Sequence, residues 1–367
     1  MNLRRIFLFP ISILYGIGIL IRNLCYDTGL LKPKEVNVNT IGVGNLSTGG
    51  TGKTPHVEYI LKLIKDQLNV ATLSRGYGRK SSGYILADEN SNSDLIGDEP
   101  RQYKQKFKEL IVAVCENRIN GIKNILNQYP DTNVVVLDDV FQHRSLKTEL
   151  NIVLTDYNHM YYNDMILPSG NLREFAGGIK RADVIIVTKT PLDFSPYDRR
   201  NIELKIAAKG YQKVFFSYLK YGQPYPINEA AELLPVSILE LKQTKPGILL
   251  FSGIANPSPI EDYLKWITPH FTQIRFNDHH NYNSGDIQRI KKNLDLLPVQ
   301  NKIIITTEKD FNRLDQHNLS EEFQNIPFYY LPIEVDFNEK DKEEFNNIII
   351  KYATRNKIYV GVYKGKD

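Results

Sequence analysis

The chain has 367 residues, 42% of them hydrophobic, enough to bury one full core and to allow a second. Its 46 basic and 42 acidic residues leave a formal charge of +4, without the one-sided basic excess of a nucleic-acid binder, so no nucleic-acid partner is expected. Only Cys25 and Cys115 are present, with neither metal-ligand spacing nor a disulfide framework, which suits a reducing cytosol.

Residues 7–21 carry no charge, with Arg4 and Arg5 before the run and Arg22 after it. The run is shorter than the roughly 20 apolar residues that span a bilayer comfortably, and Pro10 and Ser12 interrupt it, so an interfacial or tilted helix fits as well as a span. A secretory signal also begins with basic residues, but Arg22, Asn23, Leu24, Cys25 and Tyr26 follow in place of a small-residue cleavage site. Residues 1–30 are therefore expected to form a retained, membrane-associated helix.

Residues 36–43 alternate apolar and polar side chains, and residues 44–52 are rich in Gly, Ser and Thr. After Thr54, apolar residues fall at Val57, Ile60, Leu61, Ile64 and Leu68, the spacing of an amphipathic helix, with Pro55 acceptable in its first turn. The unit reads as strand, glycine loop, helix. Short apolar runs at 110–115, 134–137, 152–154 and 184–187 read as buried strands separated by helical stretches, the rhythm of an α/β parallel sheet. The pattern changes near 214–226, where a strand gives way to a turn-rich segment. Beyond it, runs at 247–251, 271–276, 302–306 and 328–331 alternate with helices. The expected fold is α/β, a P-loop NTPase-type parallel sheet flanked by helices with a second, smaller α/β domain. The expected boundaries are 31–220 for the P-loop domain, 221–245 for a linker, 246–336 for the smaller domain, and 337–367 for a C-terminal helix and tail.

Ser47-Thr48-Gly49-Gly50-Thr51-Gly52-Lys53-Thr54 nearly matches the phosphate loop, with Ser47 in place of its first glycine. In such a loop backbone N–H groups and a helix N-terminus cradle phosphates, Lys53 pairs with the β- and γ-phosphates, and the Thr54 hydroxyl ligates Mg²⁺. Residues 133–139 are four apolar residues followed by Asp138 and Asp139, which fits a buried strand delivering a carboxylate to the metal. Thr188-Lys189-Thr190-Pro191 lacks the Asp of the guanine-recognition signature, so ATP is the expected nucleotide.

Further motifs follow in order: Ser74-Arg75-Gly76-Tyr77-Gly78, Gly97-Asp98-Glu99-Pro100, Phe141-Gln142-His143 after the paired aspartates, and Leu167-Pro168-Ser169-Gly170 with Leu172-Arg173-Glu174. Phe251-Ser252-Gly253-Ile254, Asp278-His279-His280 and Thr307-Glu308-Lys309-Asp310 complete the set. With the phosphate loop, these resemble the tetraacyldisaccharide 4'-kinases, the lipid A kinases of Gram-negative bacteria, from the N-terminal segment to about residue 335. The resemblance implies transfer of the ATP γ-phosphoryl group to the 4'-hydroxyl of an acylated glucosamine disaccharide 1-phosphate, yielding lipid IVA at the cytoplasmic face of the inner membrane. It implies a catalytic base formed by Asp98 with His279, with Lys53 also catalytic and Glu99 a further Mg²⁺ candidate. Arg118 and Arg173 are candidates for binding the acceptor phosphate or the transferring group, since guanidinium forks suit phosphate oxygens. Tyr77, Gln142, His143 and Glu174 are candidates for acceptor binding or support of the site. Two departures stand out: Val140 follows the aspartates where the family has glycine, implying a rearranged loop if that glycine takes positive φ, and Asn171 stands where the family has proline. The competing readings are a membrane-associated P-loop ATPase acting as a nucleotide switch and a soluble small-molecule kinase.

Overall fold

A computed structural model describes residues 3–234, 236–254, 256–278, 280, 282–312, 314 and 323–355, with side chains from Phe7 onward. The chain divides into two compact units, one made of residues 1–219 and 335–367, the other of residues 220–334.

The first unit is built on a sheet of β1 (Asn39–Asn45), β2 (Val70–Ser74), β3 (Ile85–Leu86), β4 (Ile111–Val114), β5 (Val134–Asp138), β6 (Leu150–Asp156), β7 (Val184–Thr188), β8 (Lys213–Tyr221) and, late in the chain, β14 (Ile333–Phe337). Their order is β14-β8-β7-β6-β1-β5-β2-β4-β3. From β8 through β4 every pairing is parallel, and β3 closes the edge antiparallel to β4. Successive residues of a strand point to opposite faces, so Val134 and Val136 enter one apolar cluster while Val135 and Leu137 enter another. Both faces are buried, as the continuous apolar runs require of a parallel sheet. The strand β1 lies between β5 and β6, where the connections change direction, and ligands of open α/β sheets bind at such a switch point, beyond the carboxyl ends of the strands.

Helices α2 (Lys53–Ile64), α3 (Ser93–Ile96), α4 (Asp98–Lys106), α5 (Arg118–Gln128) and α6 (Pro196–Ile206) belong to this unit. So does the last described helix, α12 (Glu339–Ala353). The sequence expects a helix here ahead of a tail, and that helix is a core element, with Phe345, Ile349 and Ala353 buried in the same cluster as Ile41, Ile60 and Val136. Asn39 Nδ2 donates to the Ala353 carbonyl at 2.9 Å, and Asp341 accepts two bonds from Arg199 at 2.8 and 3.0 Å. The charged residues of α12 disguise a core helix.

The N-terminal helix α1 (Leu3–Asp27) is continuous, with Pro10 inside it. It is the one helix among the described residues long and apolar enough to cross a membrane. One narrow stripe touches the first unit: Ser12 Oγ donates to Ser169 Oγ at 2.8 Å, Gly16 lets the helix close on Phe175, Arg22 donates to the Gln142 carbonyl at 3.0 Å, and Asn23 donates to Glu174 at 3.4 Å. Around that stripe Phe7 (76% exposed), Leu14, Leu20 and Leu24 are bare.

The second unit has a five-stranded sheet, β11-β10-β12-β13-β9, formed by β9 (Tyr225–Pro226), β10 (Gly247–Ser252), β11 (Phe271–Arg275), β12 (Lys302–Thr307) and β13 (Phe328–Leu331). Residues 221–245, expected as a linker, instead supply β9, which pairs antiparallel with β13, and α7 (Glu229–Glu232) and α8 (Ile238–Thr244), whose Ala231 and Leu241 enter the core. The stretch is as apolar as the rest of the chain, but Pro224, Pro226 and Pro235 break it into pieces too short to show a periodicity. Helices α9 (Ser258–Ile267), α10 (Ser284–Asp295) and α11 (Glu308–Phe311) complete the unit.

Candidate active site

The glycine loop leaves the end of β1 and enters α2 directly. Gly49 at φ +103° and Gly52 at φ +85° occupy left-handed backbone that a side chain disfavours. The loop is fastened at its start, where the Thr48 N–H donates to the Asn171 carbonyl at 2.7 Å and Ser47 bridges Leu172. A backbone carbonyl does this work, which a proline at position 171 also carries. Inside the loop Asn45 Nδ2 donates to Thr51 Oγ1 at 2.9 Å. Lys53, Thr54, the half-buried Ser47 and the exposed residues 48–50 thus line the carboxyl edge of the sheet at β1.

The two aspartates end the neighbouring strand β5 and differ sharply. Asp138 is buried, and its Oδ2 accepts from the Tyr103 hydroxyl at 3.0 Å, while its Oδ1 is buried with no hydrogen-bond partner. Burial, then the nearby charges of Glu99 and Asp139, push Asp138 up to about 7 against the opposing pull of Lys53 and Tyr103. Asp139 stands at φ +50°. Both its oxygens accept from Arg173 Nη1 at 2.8 Å, and Lys53 Nζ lies 3.7 Å from Oδ1. Burial alone would raise Asp139, but Lys53 and then Arg173 overcome it and hold the carboxyl below its ordinary range. Val140 is not the positive-φ residue of this turn. Its side chain is buried where Gly42 has none, since a Cβ on Gly42 would stand 2.7 Å from Val140 Cγ1. A valine is accommodated because Asp139 makes the turn one residue earlier.

Among the described residues no three His, Cys, Asp or Glu side chains converge as a cation site. That fits Mg²⁺ held by one or two protein oxygens with nucleotide phosphates completing the set, and the orphaned Asp138 Oδ1 is the protein oxygen such an ion would satisfy.

Loops 74–78 and 96–97 are packed against each other. A Cβ on Gly76 would lie 2.8 Å from the Ile96 carbonyl, and one on Gly97 would lie 2.9 Å from the Tyr77 carbonyl. This brings the Tyr77 loop beside Asp98 and Glu99, half-buried in the first turn of α4, with Tyr77 itself 81% exposed.

Arg118 differs from its sequence reading, whereas Gln142 and Glu174 take the supporting side of theirs. Arg118, 2% exposed, turns inward and donates to the carbonyls of Cys115, Glu116, Asp138 and Asp139 at 2.9 to 3.4 Å, a clamp on the ends of β4 and β5. Glu174 is fully buried, accepting two 2.8 Å bonds from Arg181 and one of 3.1 Å from Gln142. Gln142 spends its amide on Glu174 and on the Asn45 carbonyl. In this structure these three brace the site from behind. His143 is half-buried, pushed down to about 4 by burial and then by the positive charges of Arg118, Arg75 and Arg22.

His279 lies outside the described residues. Among the described residues of the second unit, Lys309 pairs with Asp278 at 3.7 Å, His280 Nε2 and Asp286 are 2.9 Å apart, and Asp310 accepts from the Gly253 N–H and the Tyr282 hydroxyl at 3.0 Å each. Three separate sequence motifs thus meet at one end of that sheet. Sequence reasoning missed Tyr103, His56, Thr188 and Asp156. Thr188 and Lys189 stand together in Thr188-Lys189-Thr190-Pro191, where the signal was the missing Asp rather than these two residues themselves.

A glycine loop running from a central parallel strand into a helix, with a buried aspartate ending the next strand, defines a P-loop nucleotide-binding enzyme. The family model for tetraacyldisaccharide-1-P 4'-kinase matches residues 4–353. Proteins named tetraacyldisaccharide 4'-kinase from Bacteroides thetaiotaomicron and Flavobacterium johnsoniae are 44% and 42% identical over 360 and 357 residues, covering 95% and 97% of this chain and 93% and 99% of theirs. The crystal structure of LpxK from Aquifex aeolicus, described as an "apo" form in complex with ATP, superposes with a TM-score of 0.73 at 30% identity, over 95% of this chain and 99% of that one. The chain belongs to the tetraacyldisaccharide-1-phosphate 4'-kinase family. It is an ATP-dependent kinase of lipid A biosynthesis, acting on a disaccharide phosphate precursor.

Proposed function

We propose that residues 47–54 bind the ATP phosphates and that Asp98, with His279, accepts the proton of the acceptor's 4'-hydroxyl. The hydroxyl oxygen forms a bond to the γ-phosphorus as the bond from that phosphorus to the β–γ bridging oxygen breaks, and ADP leaves. Lys53 neutralises charge on the transferring group. Asp138 and Thr54, with Glu99 as a further candidate, would hold Mg²⁺, which would supply charge neutralisation for the transferring phosphoryl group. Asp139 orients Lys53 and Arg173, so its partners face the phosphates instead of solvent. One observation carries this reading: two cations converge on Asp139 beside the buried, unpartnered oxygen of Asp138, all next to the glycine loop.

The acceptor is a tetraacyldisaccharide 1-phosphate, and the site of action is the cytoplasmic face of the inner membrane. The bare apolar flanks of α1, together with exposed Met165 and Phe175, support an enzyme lying in the interface, since a helix fastened along one side from Ser12 to Asn23 is not free to cross a bilayer. Acyl chains then remain in the lipid while the sugar reaches the site, which supplies proximity without extraction. Thin-layer analysis with γ-labelled ATP and the disaccharide 1-phosphate tests the reaction. Label is expected in the lipid; label found only in inorganic phosphate would instead favour a nucleotide switch.

A further inference from the structure

Three consecutive carbonyls of the glycine loop are each held by a side chain from outside it. Lys189 Nζ donates to the Gly50 carbonyl at 2.6 Å, Thr188 Oγ1 donates to that of Thr51 at 2.9 Å, and His56 Nδ1 donates to that of Gly52 at 2.6 Å. The holders are themselves anchored. Lys189 Nζ also donates to Asp156 Oδ2 at 2.7 Å, at the end of β6. Thr188 Oγ1 also lies 3.3 Å from the Thr155 carbonyl. A carbonyl only accepts, so His56 Nδ1 carries the ring proton, and Nε2 accepts from the Ser217 hydroxyl at 2.9 Å. His56 is buried, and that burial pushes it down to about 4 against the Gly52 bond, which fixes the neutral ring this arrangement needs. Lys189 sits at φ +59°, left-handed backbone that lysine rarely adopts.

In a trans peptide the C=O of one residue and the N–H of the next point in opposite directions. Tying the Thr51 and Gly52 carbonyls toward β7 and α2 therefore turns the Gly52 and Lys53 N–H groups the other way, toward the mouth of the loop. A loop free to flip those peptide planes would present carbonyl oxygens to an anion. We infer that Lys189, Thr188 and His56 are positioning residues that preset the phosphate loop, with Asp156 acting through Lys189. The inference rests on the reading of residues 47–54 as the ATP phosphate site. It gives the Thr188-Lys189 pair at the end of β7 a task in a protein that lacks the guanine-reading Asp.

The test compares Lys189→Met, Lys189→Arg, Thr188→Val and Thr188→Ser. The Lys189 side chain is partly exposed, so its replacement opens no core cavity. Lys189→Met is expected to raise both the ATP Kd and the ATP KM by about tenfold, the loss of a charge-assisted hydrogen bond, with the acceptor KM unchanged. Lys189→Arg should recover part of that loss, Thr188→Ser should behave as wild type, and Thr188→Val should raise the ATP KM. Adding Asp156→Asn to Lys189→Met should cost nothing further, because the two act through one bond. An ATP KM unchanged in Lys189→Met, or ATP and acceptor KM rising together, overturns the inference. Lys53→Ala run alongside separates the two levels. If it binds and uses ATP as wild type does, the phosphate-loop reading fails first; if it loses turnover while Lys189→Met does not change, the presetting role alone fails.

Discussion

Asp138 and Asp139 are adjacent in sequence, yet their surroundings drive them in opposite directions, Asp138 upward by burial and Asp139 downward by Lys53 and Arg173. Such divergence is how one site obtains two functions from two like groups. Lys53 is central to it, and Lys53→Ala should lower kcat by at least ~10²-fold through lost transition-state charge stabilisation. The variant should keep its fold, since Arg173 still pairs with Asp139. Wild-type turnover in a folded Lys53→Ala protein would refute the loop assignment. His143 gives a pH signature. Its pKa drops from 6.5 to about 4 on folding, so on acidification the unfolded chain takes up the proton first. Its contribution is complete above about 6.5 and is lost as pH falls toward 4. Asp138 runs the other way, its contribution declining as pH rises from 3.8 to about 7. Urea denaturation of wild type and His143→Asn across pH 4 to 7 isolates the histidine. The variant's curve should be flatter toward acid, and parallel curves would mean that His143 is not held neutral. At this scale the sequence identified Lys53 and the aspartates because a motif states their chemistry. It did not disclose that Arg118 and Glu174 face inward, since the direction of a side chain depends on partners far away in the chain. Tyr103 and His56 carry no motif at all.

The elements were legible where periodicity was strong. The apolar runs that became β4 to β8 and β10 to β13 were visible, whereas β2, β3, β9 and β14 were not singled out, β3 and β9 being only two residues each and β14 falling almost wholly within the stretch expected to belong to the smaller domain. For α12, acidic and basic residues at its start drew the eye from Phe345 and Ile349, which lie one turn apart on the buried face. At the other end, α1 is the proposed anchor and also bonds to residues behind the loop. Removing residues 1 to 24 should move the protein toward the soluble pool on fractionation. It should also loosen the braces behind the loop, because Arg22 and Asn23 bond to Gln142 and Glu174. Retention of the truncated protein on membranes after a high-salt wash would assign anchoring to another surface.

At the scale of the whole molecule the proposed base joins two residues far apart in the chain, Asp98 and His279. If the pair acts as one base, Asp98→Ala and His279→Ala should each lower kcat by roughly 10² to 10⁴, and the double variant should lose little more. ATP affinity should move less than turnover. Multiplicative losses would mean separate tasks for the two residues and would end the dyad while leaving the kinase intact.

The late return of α12 to the first unit also has a consequence during synthesis. A ribosome delivers α1 first, then most of the sheet of the first unit, then all of residues 220–334, and only afterwards the helix that packs with Ile41, Ile60 and Val136. The inserted unit has its whole sequence available while its host still lacks one wall, so the nascent chain waits with apolar surface uncovered. Chains that stop short of α12 leave Ile41, Ile60 and Val136 without that cover, and are expected to be degraded faster than the full chain in a pulse-chase measurement.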